Sequence, residues 1–256
     1  MQAAFGGLSE SSLHFILSIR RPIMMSQFTQ TAGAADSAAQ LAHSVAQDLH
    51  SILAQKEHAV LAVSGGKSPI AFFQALNTED LDWRRVRITL VDERIVPVHH
   101  ADSNTQLVRQ HLLQNQAAQA QWLPLIDDNA TESSLHNIEQ AVAFALQHYQ
   151  QPDVLVLGMG ADGHTASIFP QAPQFADAVS PDYPQPLLHT TPVTAPHERI
   201  SMTLAAIECT PSVYLSIAGA EKLAVYRQAE QSRNPQFPIS YVLTSAEVSV
   251  HVFYHP

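Results

Sequence analysis

The sequence predicts a doubly wound α/β fold, a mainly parallel sheet with helices on both faces, and three observations carry that expectation. From residue 32 onward the apolar spacing switches repeatedly between helical periodicity and short continuous runs. Those runs lack the strict alternation of a half-exposed antiparallel strand and read as strands covered on both faces. Four of them, ending at Val63, Val91, Leu157 and Ala218, lead into clusters of Gly, charge or hydroxyl, so the polar chemistry gathers beyond one edge of the sheet, where open α/β sheets bind ligands.

Element by element, Leu41, Val45, Leu49 and Ile52 fall at helical spacing, and the apolar run His58 to Val63 follows as a strand. Ile70, Phe73 and Leu76 mark a second helix before the strand Val86 to Val91. Asp102 or Ser103 caps a helix carrying Leu107, Val108, His111 and Leu112, and Leu135, Ile138, Val142, Ala145 and Tyr149 predict one longer helix. Val154 to Leu157 is a buried strand, Pro170 to Pro196 reads as irregular, and Val213 to Ala218 is a strand feeding a helix over Glu221 to Glu230. Val248, Val250 and Val252 alternate as the last strand.

The N-terminal stretch is read separately. Leu13 to Ile19 is apolar but precedes Arg20 and Arg21, the reverse of a signal peptide's charge order, and it is too short to span a bilayer. With Met24 and Met25 following, residues 1–25 are expected to be an extension, disordered or an upstream start, and residues 26–256 a single domain.

Of the 256 residues 46% are apolar and 14% charged, which excludes a disordered or coiled-coil chain. With 13 basic and 23 acidic residues the net charge is −10, which disfavours nucleic acid as a partner. A single cysteine excludes an internal disulfide and fits a reducing compartment; the cytoplasm is the expected location, with no membrane partner. Cys209 itself, with no base beside it, reads as a buried apolar filler.

Ser64, Gly65, Gly66, Lys67 and Ser68 form a strand-to-helix turn suited to a phosphate, with Pro69 in the first helical turn. It is not a Walker loop, whose first glycine would fall on Leu61, nor a nucleophile elbow, whose leading glycine would fall on Ala62. Gly158, Gly160 and Gly163 match GxGxxG, but Pro170 leaves no room for the long helix beneath a pyrophosphate, so no dinucleotide cofactor is expected. His164, two residues after Asp162 in that glycine-rich turn, is the candidate for proton transfer among 14 histidines. No metal-binding spacing occurs, so no catalytic metal is expected. Asp92, Glu93 and Arg94 fit a solvated turn and a site equally well. Arg199 and Lys222 are cations able to hold an anion in an otherwise acidic protein.

AVSGGKSP, VDERIVP with DSN at 102–104, LGMGADGHTASIFP, RISMTL and GAEK stand in the order found in 6-phosphogluconolactonases, and the chain resembles that family over roughly residues 40–225. The resemblance implies the fold shared with glucosamine-6-phosphate deaminases and a cofactor-free hydrolysis of a sugar-phosphate lactone in the oxidative pentose phosphate pathway. It implies that Ser64, Gly65, Gly66, Lys67 and Ser68, with Arg199 and Lys222, line the phosphate end of the substrate, and that Asp162 and His164 sit at the lactone; Asp92 is a further candidate for substrate binding and Arg94 a catalytic one, as donor to the oxyanion. Lys67 stands where many relatives carry Ser or Arg. The deaminases carry a further glutamate in their proton relay where this chain has Phe169, which favours hydrolysis by one general base. A deaminase or isomerase and a non-catalytic sugar-phosphate sensor are the alternatives, and the assembly is expected to be a monomer or small homo-oligomer.

Overall fold

A computed structural model describes residues 26–256; the predicted extension at residues 1–25 lies outside the described residues. β1 (Gln27–Gln30) leads into α1 (Ala34–Leu53), whose Leu41, Val45, Leu49 and Leu53 form a buried stripe at helical spacing. β2 (Ala59–Val63) is buried at every position, and α2 (Ile70–Leu76), β3 (Val86–Leu90) and β4 (Asp92–Arg94) follow. Ser103 caps α3 (Asn104–His111) by accepting the N–H of Gln106. After β5 (Gln121–Trp122), the one helix expected between Leu135 and Tyr149 is two, α4 (Glu132–Leu135) and α5 (Ile138–His148). Asn137 causes the break: its backbone leaves the helical region and its side chain accepts the N–H of Gln140 as a new cap.

β6 (Val154–Gly158) follows, and the Pro-rich stretch expected to be irregular contains α6 (Phe175–Ala178) and β7 (Leu187–Thr190). The chain ends with β8 (Arg199–Met202), α7 (Leu204–Glu208), β9 (Ser212–Ala218), α8 (Gly219–Ala229), α9 (Ile239–Leu243) and β10 (Val250–His255). Cys209 closes α7 and is exposed, not the buried filler expected, because it is the C-terminal cap of a short surface helix.

Seven strands form a parallel sheet in the order β1-β10-β9-β6-β2-β3-β5. Its central strands are buried runs and its helices pack around it, the doubly wound architecture read from the sequence. From β2 the chain adds β3 and β5 on one side and β6, β9 and β10 on the other, so the winding reverses between β2 and β6. Among the described residues no helix is long and apolar enough to cross a membrane.

A second, antiparallel sheet, β4-β8-β7, begins directly after the carboxyl end of β3, with only Val91 between β3 and β4. Asp92, Glu93 and Arg94 are therefore a strand and not a solvated turn, with Asp92 and Glu93 buried. The Glu93 carboxylate explains the burial: it accepts the N–H groups of Arg94 at 2.7 Å, Asn104 at 2.8 Å and Thr105 at 2.6 Å, and the Ser103 hydroxyl at 3.2 Å. It thereby fixes the start of α3 to β4. Glu93→Ala would orphan these donors, so its urea midpoint should fall with an unchanged m-value, by at least about 1–3 kcal/mol of stability, the cost of one unmade buried hydrogen bond.

Candidate active site

The loops after β2, β3, β6 and β9 meet around a cavity of about 330 Å³ at the carboxyl edge of the parallel sheet. Its volume falls in the small-molecule range of roughly 300–1,000 Å³, and it lies where the winding reverses.

After β2, the N–H of Ser64 bonds the carbonyl of Val156 at 2.9 Å, and its Oγ accepts the N–H of Gly158 at 3.0 Å, which ties this loop to the end of β6. Gly66 takes a φ of 86°, open to glycine at no steric cost, and turns the chain so that the N–H groups of Gly65, Gly66 and Ser68 find no protein acceptor among the described residues. A Cβ at Gly65 would lie 1.9 Å from Oδ1 of Asn104, so only glycine lets that side chain close over the loop. Asn104 is buried and donates to the Asp92 carbonyl at 2.9 Å.

After β6, His164 Nδ1 lies 2.6 Å from Asp162 Oδ1, and the His164 N–H donates to the same oxygen at 3.2 Å. The imidazole stacks on Phe169 at 4.3 Å and keeps 30% of its side-chain surface exposed. With Nδ1 committed to the carboxylate, Nε2 is the free nitrogen; in the neutral ring that donates Nδ1–H to Asp162, Nε2 carries the lone pair. Burial pushes the Asp162 carboxyl up, but the hydrogen bond and charge of His164 outweigh it, and the net position is below the ordinary aspartate value. Further along, Ser167 is buried: its hydroxyl donates to Asp92 Oδ2 at 2.6 Å and its N–H to Ser201 Oγ at 3.0 Å. Ser167 thus locks the glycine-rich loop onto the second sheet.

That sheet sets Arg94 directly opposite Arg199 in the β4–β8 register. Arg94 donates through Nη1 to the carbonyl of Asp102, and Arg199 donates through Nε to the carbonyl of His197 at 3.3 Å and through Nη2 to that of Pro196 at 3.0 Å. Burial pulls the Arg199 guanidinium below its usual value, Asp92 pushes it back up, and Arg94 adds to the fall.

Of the residues singled out in the sequence, Ser64, Gly65, Gly66, Ser68, Asp92, Arg94, His164, Arg199 and Lys222 line this one cavity. Lys67 does not; it is exposed between Gly66 and Ser68, which do. Asp162 is outside the wall and reaches the cavity through His164. The wall also holds Asn104, Phe169, Ala195 and Ser216, none of them among the candidate site residues. Asn104 had a sequence signal in its place in DSN, and Phe169 in its position where the deaminases carry a relay glutamate; Ala195 and Ser216 had none.

The family model described as glucosamine-6-phosphate isomerases/6-phosphogluconolactonase matches residues 32–251. A 6-phosphogluconolactonase of Neisseria meningitidis is 59% identical over 221 residues, covering 86% of this chain and 95% of that protein. One from Pseudomonas aeruginosa is 43% identical over 200 residues, covering 77% and 82%. A crystal structure described as a putative 6-phosphogluconolactonase from Neisseria gonorrhoeae superposes with a TM-score of 0.89 at 57% identity, over 91% of this chain and all (100%) of that one. A monomeric glucosamine-6-phosphate deaminase, 17% identical, shares the fold with a TM-score of 0.69.

Two consequences of the His164–Asp162 geometry are measurable. A Cβ at Gly160 would lie 2.2 Å from His164 Nδ1 and 2.5 Å from Asp162 Oδ1, so Gly160→Ala should part the pair and shift the His164 ring signals in a nitrogen-correlated NMR spectrum. Because the folded Asp162 value is depressed, its stabilising contribution is complete above the ordinary aspartate value and is lost as pH falls through the folded one. Asp162→Asn should therefore flatten the acid limb of a Tm-against-pH curve.

Proposed function

The chain belongs to the family of glucosamine-6-phosphate isomerases and 6-phosphogluconolactonases and is an enzyme of its lactonase branch, and on that premise we propose that it hydrolyses 6-phospho-D-glucono-1,5-lactone to 6-phospho-D-gluconate with His164 as general base. The observation that carries this reading is the sharing of one cavity by an imidazole with a free Nε2 and a set of cations beside a loop of unpaired N–H groups.

In this mechanism Nε2 of His164 takes a proton from a water that attacks C1 of the lactone. Asp162 holds Nδ1–H and stabilises the imidazolium as it forms. The carbonyl oxygen becomes an oxyanion, met by backbone N–H groups of the glycine turns and by Arg94. Collapse of the tetrahedral intermediate breaks the bond from C1 to the ring oxygen, and the proton held on Nε2 passes to that leaving oxygen. The N–H groups of the Ser64–Ser68 loop, with Arg199 and Lys222, hold the phosphate dianion, Arg199 being suited to a bidentate grip. Lys67, exposed and outside the cavity lining, is given no direct contact with the phosphate in this reading.

The deaminase alternative needs a second acid–base group near the imidazole. The ring of Phe169 occupies that place, stacked on His164, and it can neither accept nor donate a proton. A sensor without chemistry gives no role to an imidazole oriented by a carboxylate. Ammonia release from glucosamine 6-phosphate would support the first, and tight 6-phosphogluconate binding without faster lactone loss the second.

A phosphorus NMR time course on fresh lactone should show loss faster than the uncatalysed background; an identical rate overturns the proposal. His164→Ala should lower kcat by about 10²–10⁴ while leaving product binding in place. Arg199→Ala should act mainly on KM, and Lys67→Ala should change both constants less than twofold, on the order of a surface substitution.

A further inference from the structure

Outside the walls of the cavity, one group among the described residues brings three metal-ligating atoms within 4.8 Å of one another: His100, Asp102 and His197. His197 Nε2 lies 2.9 Å from Asp102 Oδ2, and His100 Nδ1 lies 3.9 Å from the same oxygen. We propose that these three side chains form a binding site for a divalent transition-metal ion, zinc being the best chemical match, on the rim of the active cavity. The proposal does not depend on which reaction the cavity performs.

The donor set selects the class of ion. Two imidazoles and one carboxylate suit zinc and its transition-metal neighbours, whereas magnesium and calcium prefer oxygen ligands throughout. Bonds of about 2.0–2.2 Å to a tetrahedral ion place its ligand atoms roughly 3.3–3.6 Å apart. The observed separations straddle that value, so closing the site asks His197 to retreat slightly from Asp102 and His100 to advance. The Asp102 N–H donates to His100 Nδ1 at 3.1 Å, so this ring nitrogen is unprotonated, and an ion taking its lone pair displaces that one exposed hydrogen bond. The three side chains are 36%, 54% and 27% exposed in the order His100, Asp102, His197, leaving an entry path and a fourth position for water.

The site is also tied to the arginines. Asp102 and His197 are 95 residues apart in sequence, yet the carbonyl of the first anchors Arg94 and that of the second anchors Arg199. A bound ion would clamp together the two segments from which both guanidiniums hang. Metal-binding patterns in sequence could not show this, because no local spacing joins the ligands.

Isothermal titration of the full chain with zinc chloride, and cobalt(II) absorption in the visible, test the proposal together. The expected result is one ion per chain in the wild type and in His164→Ala. Affinity should fall at least about tenfold in His100→Ala and in His197→Asn. Asparagine is the choice at position 197 because that residue has a φ of 69°, a conformation asparagine tolerates better than alanine. Far-ultraviolet circular dichroism reports whether each variant is folded, and His100→Gln replaces His100→Ala if the latter is not. Absence of stoichiometric binding in the wild type overturns the proposal. So does binding that survives both rim variants and vanishes in His164→Ala, which would place the ion on the imidazole of the cavity.

Discussion

Two arginines facing each other across a strand pair are an expensive arrangement, and much of this fold accounts for them. Arg94 and Arg199 are direct partners in the β4–β8 register, where like charges repel, and Arg199 is almost wholly buried. The cost is met by backbone carbonyls of Pro196, His197 and Asp102 and by the carboxylates of Asp92 and Glu93 close by. Compensation is incomplete, since burial leaves the Arg199 guanidinium less basic than usual. An anionic ligand, as in the proposed reaction, would supply what is missing. The small antiparallel sheet thus has a function that the large parallel sheet cannot perform: it sets two cations side by side at the mouth of a crevice in a protein of net charge −10.

The same sheet also sets the position of the imidazole. Asp92, one residue before Glu93 in β4, receives the hydroxyl of Ser167, and Ser167 lies three residues beyond His164. Phe169, from that same segment, stacks on the imidazole and lies 6.0 Å below the guanidinium carbon of Arg199. An aromatic ring thus lies between the guanidinium of Arg199 and the imidazole of His164, and the Asp162 carboxylate stands on the other nitrogen of that imidazole.

How much of this the sequence disclosed follows from where each signal resides. β2, β3, β6 and β9 are runs whose burial shows in their own composition, and the glycine and hydroxyl clusters at their ends are contiguous, so both the sheet and most of the cavity wall could be read directly. β4, β7 and β8 are three or four residues long and include Asp, Arg, His and Ser; pairing with distant strands buries them, and no local pattern encodes that. For Glu93 a solvated turn and a site stayed equally open, because the donors that bury it lie ten to twelve residues downstream, in the cap of α3. Cys209 erred in the opposite direction: a residue type that is usually buried ended a short helix at the surface.

The separation of roles across the cavity bears on how such a site would turn binding into rate. A dianion gripped by N–H groups and guanidiniums is held far more tightly than a neutral lactone ring could be, yet that grip does not touch the bond being broken. Its value for catalysis is positional. The loop after β2 and the loop after β6 are joined by the bond from Gly158 to Ser64, so a phosphate held in the first, as proposed, would have a defined distance to the proposed base in the second. Holding reactants in one geometry removes rotational and translational freedom before the chemical step, a contribution that reaches about 7–11 kcal/mol in the best-oriented systems. In this protein the two loops are held in register by both bonds of Ser64, its N–H to the carbonyl of Val156 and its Oγ from the N–H of Gly158, and the glycines at positions 65 and 160 leave room for the side chains of Asn104 and His164 beside them.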